Sequence, residues 1–116
     1  MRLFLIIWLF AWMTVPAIAD VNDDKIQQCA AGGLQSVSYQ INACQSAAKY
    51  YGTQKPQAPG DVCHNGYNYA TSIMVLGEAT SDNDTTAQGR TIMKLIIKKC
   101  MDPWRSRAKD LLENGA

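Results

Sequence analysis

The chain is short of the groups that an exported hydrolase needs. Among 116 residues it has one histidine, His64, and two glutamates, Glu78 and Glu113. A serine triad would have to recruit that single imidazole, and no G-x-S-x-G elbow presents a nucleophile. A glycosidase needs two carboxylates facing each other across a cleft. Glu78 followed by Asp82 and Asp84 is the one suggestive arrangement, in a chain too small to build a sugar cleft around it. Asp82 and Asp84 also lack the glycine and the closing glutamate of a calcium loop, because Ala87 and Met93 stand at those places. There is no alternating strand pattern, no internal repeat and no apolar run of the roughly twenty residues that cross a bilayer. No close cysteine pair exists either: the gaps between the four cysteines are 14, 18 and 36 residues. Structural zinc sites take their ligands in close pairs, so metal is not expected. No catalytic residue, metal site or cofactor is predicted, and the protein is read as a binder rather than an enzyme.

What the chain does have begins at its first residues. Arg2 is followed by an apolar stretch from Leu3 to Val15, and Pro16-Ala17-Ile18-Ala19 then supplies small residues at the positions a signal peptidase reads. Residues 1–19 are expected to be a cleaved secretory signal and residues 20–116 a single mature domain. Retention as an anchor is the alternative, given the bulky Trp8, Phe10 and Trp12. An exported chain meets an oxidising compartment, the periplasm of a diderm bacterium, where an even set of cysteines pairs. A domain of this size hides only about 60–65% of its unfolded surface, so covalent staples matter.

The mature chain reads as all-α, a small bundle of four to five helices stapled by two disulfides. Asp23 and Asp24 open a short helix through Cys29, and Gly32-Gly33 breaks it. Leu34, Val37, Ile41, Cys44, Ala48 and Tyr51 recur at steps of three and four, the spacing of one helix face. Pro56 and Pro59 mark a loop. Asp61 is expected to cap a third helix reaching about Gly77, with Cys63, Gly66, Ala70 and Gly77 as a small-residue face, and with His64, Asn68 and Thr71 away from its apolar centre. Asp84 is expected to cap a fourth helix carrying Ile92, Leu95, Ile96 and Cys100 inward. Asp102 then caps a fifth, with Pro103 at its first position.

Only a short turn separates the third and fourth helices, so they should pair antiparallel. That brings Cys63 beside Cys100 and leaves Cys29 for Cys44. Cys29–Cys100 with Cys44–Cys63 is the competing arrangement, and spacing does not choose between them.

Beyond Arg2 the basic and acidic side chains balance, but unevenly: residues 20–84 carry three basic and seven acidic groups, residues 85–116 seven and three. Arg90, Lys94 and Lys98 form an outward ladder. With no net positive charge and no motif, nucleic acid is not expected as a partner. Tyr39 and Tyr50 lie off the apolar stripe of the second helix, and tyrosine anchors protein interfaces. Tyr39, Tyr50, Arg90, Lys94 and Lys98 are therefore the candidate protein-binding residues.

The stretch Cys63-His64-Asn65-Gly66-Tyr67, followed by Leu76-Gly77-Glu78-Ala79, resembles the C-x-G-Y and G-x-x-D/A signature of periplasmic immunity proteins that neutralise type VI secretion amidases. The likeness covers about twenty residues with altered spacing, and lacks a second C-P element. It implies a protein partner, a toxin or hydrolase whose cleft is occluded. A small exported accessory protein of a conjugation or type IV secretion system is the alternative reading, and a hydrophobic-ligand carrier a third.

Overall fold

A computed structural model describes residues 24–58 and 60–115; the expected signal segment lies outside these residues. In chain order they form α1 (Asp24–Ala31), a 3₁₀ turn (Gly32–Leu34), α2 (Val37–Thr53), α3 (Asp61–Thr80), α4 (Asn83–Lys99) and α5 (Trp104–Asn114). No strand occurs among the described residues. The disulfides are Cys29–Cys44 and Cys63–Cys100, with Cα atoms 4.4 and 6.1 Å apart. Antiparallel packing of α3 on α4 thus selects the hairpin pairing over the nested one.

Helix α3 is the axle. It belongs to a first core with Ile26, Cys29, Cys44, Ala47, Tyr51 and Val75, and to a second with Ala70, Met74, Met93, Ile96, Cys100 and Ala108. Partners on several sides bury it almost continuously from Asn68 to Gly77. Asn68 and Thr71, expected off the apolar face, are therefore inside. A helix can hide polar residues when their side chains find partners within it, as the Asn68 amide does 3.2 Å from His64 Nε2. Thr71 donates to the Tyr67 carbonyl at 2.8 Å and Ser72 to the Asn68 carbonyl at 2.7 Å.

The close approach of α3 and α4 is made at Gly77, Ala70 and Gly89, not at Gly66. A Cβ at Gly89 would collide with Met74 Cγ and stand 2.8 Å from the Ala70 carbonyl oxygen; one at Gly77 would stand 2.7 Å from Thr86 N. At Gly66 the nearest neighbour would be Ile96 Cδ1 at 3.9 Å, an ordinary contact.

Four further expectations shift. Leu34 is 91% exposed and Val37 60% exposed, although the periodicity placed both on the buried stripe. The eight-residue α1 is about 12 Å long and turns back at Gly32, so among the described residues no helix covers the first turn of α2. On α4 it is Met93 that fills the core, while Leu95 stays 49% exposed. The cap of α4 is Asp82, whose side chain accepts from the Asp84 and Thr85 amides at 3.2 Å. Asp61 caps nothing forward: its Oδ2 accepts from the Gln57 and Ala58 amides, both at 2.9 Å, and so ties down the preceding loop.

At the start of α5, Pro103 stands at the cap and not at the first helical position. Pro103 precedes the helix, after a cis Asp102–Pro103 bond, and Asp102 reaches over it to the Ser106 amide at 3.1 Å.

These three aspartates set the acid behaviour. The Gln57 and Ala58 amides hold Asp61 below its ordinary 3.8; the Thr85 hydroxyl and amide do so for Asp82, and the Ser106 hydroxyl for Asp102. A carboxyl with a lowered folded pKa adds stability that is present above its unfolded value and is lost as pH falls through the folded one. The melting temperature should therefore be flat near neutrality and fall below about pH 4. Asp82→Asn with Asp102→Asn should flatten that fall, as thermal unfolding followed by circular dichroism across pH would show.

Candidate protein-docking surfaces

The first surface grows out of the turn between α1 and α2. Gly32 lets the chain fold back tightly, since a Cβ there would lie 2.9 Å from Gln40 Cα. The Gln40 side-chain amide then donates to the Cys29 carbonyl at 3.2 Å, and Cys29–Cys44 closes the corner covalently. Ser36 caps α2 by accepting from the Tyr39 amide at 3.0 Å. The result is a rigid projection that carries Leu34, Val37 and Tyr39, the last 43% exposed. Beside them lies a shallow concavity of about 240 Å³, bordered by Gln27, Gln28, Gln35 and Tyr39.

Tyr50 sits three turns further along α2, about 16 Å away. It is half-buried, edge-on to Tyr51 at 5.1 Å between centroids, with the Lys25 ammonium 5.1 Å from its ring. Arg90, Lys94 and Lys98 are exposed on α4, with Leu95 among them. Helices α2 and α4 each pack on α3. The structure therefore places Tyr39 and Tyr50 along one helix but puts the basic ladder on another element.

Leu34 and Val37 are the residues that sequence reasoning assigned to the wrong side. Ser36 was the available signal: a serine between them is an N-cap, which puts Leu34 outside the helix whose stripe it seemed to continue.

The chemistry-bearing types are engaged in structure. Cys63 is in a disulfide. The His64 ring lies 5.1 Å from Trp104 and 6.2 Å from Tyr51, and its Nε2 is 3.2 Å from Asn68 Nδ2. Tyr67 completes the stack, 5.7 Å from Trp104. Burial pushes the Tyr67 phenol up, against the opposing pull of the Thr71 hydroxyl and the Arg107 guanidinium. Among the described residues no group of histidine, cysteine, aspartate or glutamate is arranged to hold a metal ion. No helix among them is long and apolar enough to cross a membrane.

A larger trough of about 420 Å³ runs over α3 between α1 and α5, lined by Ile26, Tyr67, Val75, Leu111 and the Arg107 side chain among others. It is an open channel rather than an enclosed chamber. No known protein-family model, curated protein or solved structure matches this chain.

Proposed function

We propose that the protein is an exported protein-binding module of the periplasmic immunity or inhibitor kind, which occludes the cleft of a toxin or hydrolase with its α1–α2 corner. The observation that carries this reading is the exposure of Leu34, Val37 and Tyr39 on a corner closed by Cys29–Cys44. Adjacent apolar side chains that add nothing to the core are characteristic of interaction sites. Burying one such side chain against a partner gains about 1.5–3 kcal/mol, and a pre-stapled corner loses little freedom in doing so.

Two disulfides fit export to an oxidising compartment. The likeness of the Cys63–Tyr67 and Leu76–Ala79 stretches to immunity proteins points the same way. A carrier of hydrophobic ligands is less well supported, because the 420 Å³ trough is open along its length.

The reading is tested by capturing partners of the oxidised protein from the periplasm of its own host, with mass spectrometry as the readout. A hydrolase held in stoichiometric amount is the expected result. Envelope-spanning secretion components would make the protein an accessory subunit instead, and the absence of any specific partner would remove the binding reading. Lys94→Glu is expected to change the association rate and its salt dependence with little effect on dissociation if the ladder lies at the rim, as surface plasmon resonance at two ionic strengths would show.

A further inference from the structure

The end of α2 and the start of α3 border a further cleft, of about 240 Å³, which includes Tyr50 but none of Leu34, Val37 and Tyr39. Its walls are polar. Lys55 and Asp61 are its charged residues, with Gln54, Gln57 and Asn65 as amide residues and Tyr50, Tyr51 and His64 as ring residues, and His64 acts electrostatically on Asp61. We propose that this cleft binds a small zwitterion, an amino acid or a short peptide, with the ligand's carboxylate toward Lys55 and its ammonium toward Asp61.

The charges choose the ligand class. Lys55 and Asp61 border the same space, and no ion pair between them is found among the described residues. A simple anion entering the cleft meets the Asp61 carboxylate, and a simple cation meets the Lys55 ammonium. A ligand with both charges gains at each end. Both backbone bonds to Asp61 fall on Oδ2. The same bonds favour the ionised carboxyl and tie Gln57 and Ala58 to the start of α3.

The floor is also set before a ligand arrives. Tyr51 is almost wholly buried, and Cys63–Cys100 pins the first turn of α3. The size suits one or two residues, being below the range of about 300–1,000 Å³ usual for larger ligands. The cleft lies well away from Leu34 and Val37 along α2, so this inference does not rest on the docking corner.

The test is a nuclear magnetic resonance titration of the oxidised protein with alanine and with alanyl-alanine, set against acetate, ethylamine and N-acetylalanine amide. Saturable shifts are expected at the Gln54 and Asn65 side-chain amides with one or both zwitterions; the tighter of the two reports the spacing of the charges. Removing one ligand charge, or making Lys55→Gln, should weaken binding about tenfold, the loss of one charge-assisted contact. Lys55 is exposed and in a loop, so that variant keeps the fold. The proposal is overturned if neither zwitterion gives saturable shifts, if the blocked compound binds equally well, or if Lys55→Gln binds like the parent.

Discussion

Replacing Cys63 and Cys100 together by serine is expected to lower the unfolding free energy by about 4 kcal/mol, the loop-closure value for a bridge of this span. The bridge joins residues 37 apart and is the one covalent tie within the second core, among Met74, Met93, Ile96 and Ala108. Without it the unfolded chain regains the freedom of the whole α3–α4 hairpin, and a serine hydroxyl enters the nearly closed site of Cys100. Small domains have total stabilities of about 5–15 kcal/mol, so the variant should be near its folding limit at physiological temperature. The shorter Cys29–Cys44 link, spanning 15, should cost about 3 kcal/mol. Urea unfolding of the two double-serine variants beside the oxidised parent measures both losses. A loss below about 1 kcal/mol at Cys63–Cys100 would mean that the hairpin holds itself without the staple.

Alanine at the helical glycines should divide them by sign. In an exposed helix interior, glycine to alanine stabilises by about 1 kcal/mol. At Gly89 the new methyl group would meet Met74 and the Ala70 carbonyl oxygen, and at Gly77 the Thr86 amide and the Asp82 carbonyl oxygen. Backbone cannot step aside as the tip of a side chain can, so α3 and α4 would have to separate. Each substitution is expected to destabilise by roughly 2–3 kcal/mol, the usual cost of overpacking. Gly66→Ala is the internal control, because it meets only Ile96 Cδ1 at 3.9 Å and should follow intrinsic propensity toward greater stability. Melting temperatures of the three variants decide this. Destabilisation at Gly66 equal to that at Gly89 would refute the packing described for the hairpin.

The helices and their pairing were legible because they depend on local chemistry. Gly32-Gly33, the two prolines of the loop and Asp102-Pro103 punctuate the chain, and a short connection forces α4 back along α3, which brings Cys63 to Cys100. Burial was less legible because it depends on where the neighbours stop. Leu34 and Val37 have the spacing of a core stripe, but α1 is too short to cover them. Asn68 and Thr71 have polar side chains, but α3 is packed on several sides and Thr71 satisfies its hydroxyl within the helix. Met93 and not Leu95 fills the core where Gly89 brings α4 onto Met74.

The cap positions moved by one or two residues where aspartates cluster. Asp82 and Asp84 can both accept from amides at the start of α4, and only the turn after Ser81, whose backbone is left-handed at φ 56°, puts Asp82 in place. The docking corner was half legible. Tyr39 stood out as an aromatic off the stripe, whereas Leu34 and Val37 were concealed by a periodicity that continues across the Ser36 cap.

Leu34→Ser with Val37→Ser separates a role in partner binding from a role in the fold when stability and partner retention are measured on the same preparation. Exposed positions tolerate substitution within about 0.5 kcal/mol, so the urea midpoint should match the parent. Partner capture should be lost. Met93→Ala, a fully buried side chain, should instead cost about 2–5 kcal/mol. A corner variant that unfolds as early as Met93→Ala, or that keeps its partner in full, would rule out a docking role for Leu34 and Val37.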